Sequence, residues 1–438
     1  MAADPPDTSH QIGLVACVSL AVGTMVGGGI FALSGIVINT TGPAAILAYV
    51  LAAISVLLSV LCFAAVASRV KDGESGYGPI ADVLGPRWRF LTMWAFYISA
   101  IAGGAFMLVA FGSYLQYFIT GTNALLLGLG AAAVLIVLNL GPADLVGRAE
   151  TLMVVFKMGV LVLLIGFGIA AFQTDKLTPF APNGAGAILT STGLLFSVYL
   201  GFSVVTNVAG VVKNPSRNVP LSILLSILIV ALVYVGVVVA MLMSGITHFG
   251  AAGAAEAAAQ LIGPWAGGLV AVAACVSTLS GSNAVLLGTS ELLIQMAGNG
   301  DIPSAMAHTS RSGRIHYSVL LSGAIAVTLM VTGGLETIIT YCSVAGIVGL
   351  VMMDITALRM ARRHWPTPGL NLPLGILIPV LAALAAVAQL PGLGWTNVLG
   401  GLALVAAGMG VFAIRHRTER PHPESNEVSP PTTTPAQS

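Results

Sequence analysis

Apolar residues run in stretches long enough to cross a bilayer, over about 12–38, 43–68, 89–118, 123–141, 149–172, 187–212, 219–244, 265–294, 317–333, 336–358, 371–389 and 395–414. A spanning helix needs about 20 mostly apolar residues, and inside hydrocarbon each backbone amide and carbonyl must find a partner within the protein. The twelve runs predict an all-α polytopic membrane protein with 12 transmembrane helices. Charge agrees: 8% of the residues are charged, against about 25% in soluble domains. A net charge of +1 offers no basic field for nucleic acid. Cys17, Cys62, Cys275 and Cys342 are scattered through apolar runs without metal-ligand spacing and read as small buried hydrophobes. Neither a nucleophile constellation nor a phosphate-binding loop is present, so no enzyme and no cofactor are expected.

Positive charge sets the orientation. Arg69, Lys71, Arg87, Arg89, Arg148, Lys213, Arg217, Arg311, Arg314, Arg359, Arg362, Arg363, Arg415, Arg417 and Arg420 all fall on one side of the alternating spans. The other side has Lys176. Both termini are therefore expected in the cytoplasm. The polar start over 1–11 lacks the basic cluster of a signal peptide, so the first helix is expected to be retained. Residues 415–438, rich in Pro, Thr and Glu, read as a disordered cytoplasmic tail.

Inside the first run stands Gly23-Thr24-Met25-Val26-Gly27-Gly28-Gly29-Ile30-Phe31. Each glycine in a helix interior costs roughly 1 kcal/mol relative to alanine, so four within seven positions mark a place where the helix opens. Opened backbone is tolerated at membrane depth only inside protein or along a cavity. It would present carbonyls suited to an ammonium group or cation, and amides suited to a carboxylate. A small-residue packing face is the other reading of these residues. Span six carries a similar interruption, Tyr199-Leu200-Gly201-Phe202-Ser203-Val204-Val205-Thr206-Asn207. Interrupted helices at matching positions of two halves point to a transporter site at a repeat interface. Two connecting segments are also expected to have structure: a cytoplasmic loop from Gly73 to Gly85, and a short helix or plain connector from Phe249 to Ile262 over the outer mouth.

With these motifs in order, the chain resembles the amino acid–polyamine–organocation superfamily of transporters. The resemblance is carried by the glycine-rich first helix, the Gly73–Gly85 loop, Lys213-Asn214-Pro215-Ser216-Arg217-Asn218-Val219-Pro220, Ser280-Gly281-Ser282-Asn283, and Ala297-Gly298-Asn299-Gly300-Asp301-Ile302-Pro303. It implies a LeuT-like core of two inverted five-helix repeats, over 12–172 and 187–358, with helices 1 and 6 broken and two further helices over 371–414. It also implies roles. Amides of Gly27, Gly28 and Gly29 would hold a substrate carboxylate, and carbonyls near Met25 and of Leu200 would take the amino group. Phe202 would close over the substrate as a gate, or else pack as an ordinary aromatic. Many members have a glutamate where this chain has Ser203, so a coupling scheme that needs that acid does not carry over.

Lys157 lies eight residues past Ala149, about 12 Å into the bilayer at 1.5 Å per residue. An ionisable group at that depth is a functional hypothesis by default. It matches the fifth-helix lysine of proton-coupled, sodium-independent members of the superfamily. Where sodium bridges the first and eighth helices in other relatives, the matching positions here are the carbonyls of Gly23 and Val26 and the hydroxyls around Ser280. The Lys157 ammonium would occupy that place, either as a titrating coupling group or as a permanent structural cation. Glu150 and Asp354 are expected to reach the interface as structural residues, and Glu291 to enter an ion pair with a loop arginine. The expected function is secondary active transport of an amino acid, with proton symport ahead of amine or amino acid exchange and of a transport-dead sensor. The expected partners are protons, a neutral small-molecule substrate and the lipid of the cytoplasmic membrane.

Overall fold

The structure, a computed structural model, describes residues 12–70, 76–140, 147–203, 205, 212–307, 316–363, 369, 370, 372 and 374–418; at 147–151, 203, 215, 216, 307, 417 and 418 only the backbone is described. Regular structure among these residues is helical, apart from one isolated parallel bridge between Ile12 and Val212. The first apolar run forms α1 (Leu14–Met25), a π-helical turn over Gly29–Leu33, and α2 (Ser34–Thr41). Gly42, at φ 64°, turns the chain into α3 (Ala45–Ala67). That left-handed conformation is open to glycine and strained for other residues.

The chain continues through α4 (Gly78–Leu84), α5 (Pro86–Leu115), α6 (Ala124–Asn139), α7 (Gly147–Ala170) and α8 (Gly184–Phe196). Tight turns over Ser197–Ser203 follow, and then α9 (Pro215–Met243), α10 (Gly253–Leu261) and α11 (Pro264–Gly298). The last helices are α12 (His316–Thr332), α13 (Leu335–Arg363), α14 (Leu377–Val387) and α15 (Trp395–Thr418). Among the described residues, eight helical stretches are long and apolar enough to cross a membrane, and Leu14–Ala67, with its break and its turn, is one of them. Ala124–Asn139, His316–Thr332 and Leu377–Leu393 are apolar but shorter.

Three expectations change. Arg415 to Thr418 extend α15, so the expected tail does not begin at Arg415, and residues 419–438 lie outside the described ones. Half of the Gly73–Gly85 segment is the short helix α4, with Tyr77 buried; Gly73, Glu74 and Ser75 lie outside the described residues. Asp354 is 1% exposed in α13, nine residues before Arg363, and does not reach the interface. Its carboxyl is turned to Ser59 of α3 and enclosed by protein. The expected N-terminal segment, residues 1–11, also lies outside the described residues.

Helix α5 runs through the middle of the bundle against α11 and α13, and α9 lies against α1, α3 and α7. Close approach between membrane helices depends on small residues, because lipid supplies no hydrophobic drive between them. At Gly112 a Cβ would fall 1.9 Å from the carbonyl oxygen of Ala124, so α5 and the start of α6 touch backbone to backbone. At the end of α2, Asn39 donates to the Phe249 carbonyl at 2.9 Å and accepts from the Phe249 amide at 2.8 Å. That reciprocal pair holds α10, whose Ala254, Ala255, Ala257 and Ala258 are buried, onto the bundle.

At the opposite end, Arg89 pairs with Asp301 at 3.2 Å, and Asp301 is 1% exposed. Burial pushes the Asp301 carboxyl up, while Arg89, and more distantly His416 and Arg415 of α15, pull it down. Arg89→Gln removes the nearest cation from a buried acid and is expected to cost about 2 kcal/mol at neutral pH. The folded protein then binds the Asp301 proton more tightly than the unfolded chain does. The loss should therefore be absent below the unfolded carboxylate range and grow as pH rises through the folded one. Melting of the purified variant between acid and neutral pH checks this; a deficit independent of pH would rule it out.

Candidate functional site

Helix α1 ends where its sequence turns to glycine, and the last carbonyls of any helix lack partners within it. Here side chains from three other helices supply them. Lys157 of α7 donates through Nζ to the Gly23 carbonyl at 2.5 Å. Ser277 of α11 donates through Oγ to the Val26 carbonyl at 2.6 Å. Tyr234 of α9 donates through its hydroxyl to the Met25 carbonyl at 2.6 Å. Lys157 is 1% exposed, ten residues along α7 from Gly147. The negative end of the α1 dipole favours a cation at this position.

The second interruption lies against the first. Ser197–Ser203 wind more tightly than an α-helix, and a Cβ at Gly201 would meet the Met25 amide nitrogen at 2.8 Å and its Cα at 3.0 Å. Only a residue without a side chain permits that approach. The Tyr234 hydroxyl, bound to Met25, also lies 3.4 Å from the Val198 carbonyl, so one group faces both broken segments. Its ring packs on Tyr199 at 5.3 Å and Tyr49 at 5.7 Å, and Tyr49 bonds Ser34 of α2 at 2.8 Å.

Beside the two breaks is a cavity of about 110 Å³, where a single water needs roughly 10–15 Å³. Thr24, Met25 and Gly29 line it from the first break, and Ser197, Val198, Leu200 and Gly201 from the second. Phe96, Phe106 and Met107 of α5, Val285 and Thr289 of α11, and Cys342 of α13 complete much of the wall. Four of its hydroxyls are engaged by backbone: Thr24 donates to Leu20, Ser99 to Cys342, Ser197 to Leu194 and Thr289 to Val285, and Tyr77 brings a fifth to the wall. No Asp, Glu, Lys or Arg stands among the described lining residues.

The sequence-predicted residues divide into two groups. Met25, Gly29 and Leu200 line the cavity; Gly23, Val26 and Lys157 meet at the carbonyl end of α1. Gly27 and Gly28 pack under Met107, and the Gly27 amide donates to the Met25 carbonyl at 2.7 Å. Phe202 stands away from the cavity, fully buried and edge-on to Phe63 at 5.4 Å, so in this conformation it does not cover the wall. Ser280 donates within its own helix to the Ser277 carbonyl at 3.2 Å, and the hydroxyl of α11 that reaches α1 is that of Ser277 itself. Glu291 is exposed, and Arg311 and Arg314 lie outside the described residues, as do Thr206, Asn207 and the side chains of Ser203, Arg148 and Glu150. Sequence reasoning missed Tyr234 and Ser277. For Tyr234 a signal existed: it is the polar residue in the stretch between Ser226 and Ser244.

The profile of a family described as "Amino acid permease" matches residues 12–414. The chain is similar to the branched-chain amino acid permease of Bacillus subtilis, at 22% identity over 93% of each chain. It is similar to the methylthioribose transporter of the same organism, at 24% identity over 91% of each. A vacuolar cationic amino acid transporter of Arabidopsis thaliana is 26% identical, over 89% of this chain and 70% of the relative.

Proposed function

Because this chain belongs to the amino acid permease family, we propose that it is a secondary active transporter that carries a neutral amino acid across the cytoplasmic membrane by alternating access, coupled to protons. Membership makes the chain a multi-pass transporter and not an enzyme. The observation that carries the finer reading is the capped carbonyl end of α1, where a lysine from α7 and a serine from α11 hold oxygens that a metal cation would otherwise satisfy. A cation tethered to the protein removes the need for a soluble one. Protonation and release of Lys157 would then make and break the joint between α1 and α7.

Twelve spans follow if Leu14–Ala67 counts twice across its turn at Gly42 and the three shorter apolar helices also cross. On that count the repeats are 12–172 and 187–358, with 371–414 outside the core and both termini cytoplasmic. A cysteine at Thr178 is then expected to label with an impermeant thiol reagent on intact cells, and one at Ser425 to stay unlabelled. The reverse pattern would invert the topology.

The relatives' names divide between a branched-chain permease, a cationic amino acid transporter and a methylthioribose transporter, so they do not choose a substrate. The uncharged wall favours a neutral one, because a buried cation without a carboxylate is costly. Met25, Leu200 and the glycine segment of the first break would hold the zwitterion's two ends. Uptake by purified protein in liposomes, screened across amino acids with and without a proton gradient, tests the whole reading. Leucine- or alanine-like substrates should accumulate at least tenfold better than arginine or putrescine. Arginine as the best substrate would overturn the inference from the wall. Counterflow that ignores the gradient would favour exchange over symport.

A further inference from the structure

The bundle buries an ionisable group that neither the capped end of α1 nor the Arg89–Asp301 pair uses. Asp354 of α13 is 1% exposed and faces α3. Ser59 donates to its Oδ2 at 3.0 Å, and Oδ1 has no hydrogen-bond partner among the described residues. Cys62, one turn along α3 from Ser59, turns its thiol towards the carboxyl without meeting hydrogen-bond geometry. Helices α4, α5, α8, α12, α14 and α15 and the turns over Ser197–Ser203 also pack on α13, and none brings a charged or titratable side chain to bear on Asp354 among the described residues. An ionised carboxylate here would have one donor, one bare oxygen and no counter-cation, inside a membrane. The carboxylic acid carries no charge to bury and keeps the donor that Ser59 gives to its carbonyl oxygen.

From this geometry we propose that Asp354 is a second, reversible proton-binding site, protonated while α3 and α13 are closed on it and emptied when the two helices part. The site stands on the α3–α13 contact; only its place in a transport cycle rests on the permease reading. Lys157 and Asp354 lie ten residues from the start of α7 and nine from the end of α13, the ends that carry the positive loops. A proton taken at Asp354 removes a negative charge from the membrane interior, whereas one taken at Lys157 adds a positive charge. Each uptake raises the buried charge by the same step, so the pair is neutral when one of the two sites is filled.

Infrared difference spectra of the purified full-length protein in liposomes, between acid and alkaline buffer, test the site without transport. A carboxylic acid C=O band should vanish on the alkaline side and be absent from Asp354→Asn. In Ser59→Ala the band should move to higher frequency, since a C=O released from a hydrogen bond stiffens, and should persist to higher pH. A difference spectrum that Asp354→Asn leaves unchanged overturns the proposal, as does an Asp354 band that survives at every pH reached. Should Asp354→Asn fail to fold, Ser59→Ala decides alone, and an unmoved band is the negative result. A protein that carries no amino acid yet shows the titrating band would refute the permease mechanism and leave this site standing. Proton-driven leucine accumulation without such a band would do the reverse.

Discussion

Lys157→Ala, reconstituted into sodium-free liposomes, is expected to lose the substrate accumulation that an alkaline lumen drives, by a factor of ten or more, while counterflow persists. Wild type should concentrate substrate under the same gradient, because protons moving into the alkaline lumen carry it with them. The variant deletes the donor to the Gly23 carbonyl and leaves that oxygen buried at the end of α1. A buried acceptor stripped of its donor costs about 1–3 kcal/mol, and more when the donor was charged. Truncation also leaves a void, so Lys157→Met, which fills most of the space without charge, separates packing from charge. Both variants should lose the proton response, with Met melting closer to wild type. Undiminished accumulation by either, or a strict need for sodium in the wild type, would remove Lys157 from the coupling.

The second large effect belongs to Gly201→Ala. The new methyl would sit 2.8 Å from the Met25 nitrogen and 3.0 Å from its Cα, and neither is the free end of a flexible side chain. Overpacking of this kind costs about 1–3 kcal/mol, which converts to roughly a five- to 150-fold shift in an equilibrium. The strain falls on the conformation in which the two breaks touch, so uptake should drop at least tenfold. Gly130→Ala in α6 is the control: nothing lies within 4 Å of the added methyl there, and alanine suits a helix better than glycine. Uptake by Gly201→Ala at the rate of Gly130→Ala would mean that the contact is incidental.

Much of the framework could be read from residue order alone. Glycine clusters mark where apolar helices give way, because the cost of glycine is local to the backbone and needs no tertiary information. Lys157 was visible for a similar reason, as a charge at a depth set by counting from the nearest loop. What stayed hidden depends on rotation about helix axes. Ser277 and Ser280 lie less than one turn apart, and sequence does not say which faces α1; the structure turns Ser277 inward. Phe202 next to Gly201 invited a gating role, yet its ring turns to Phe63 and leaves Leu200 on the cavity wall. Asp354 near a run of arginines suggested the interface, and only the packing of α3 on α13 shows that it is enclosed.

Tyr234 has one hydroxyl proton and two carbonyls in view, Met25 at 2.6 Å and Val198 at 3.4 Å. It can serve one of them fully at any instant. A bond of this kind contributes only about 1 kcal/mol net, while an abandoned buried carbonyl costs the full penalty of its desolvation. If the first break draws away, Tyr234 can turn its proton to Val198 within the same ring position, and the Met25 carbonyl keeps the Gly27 amide. The phenol therefore works like a railway point: it does not hold the two halves of the molecule together so much as decide which of them keeps the connection while the other moves.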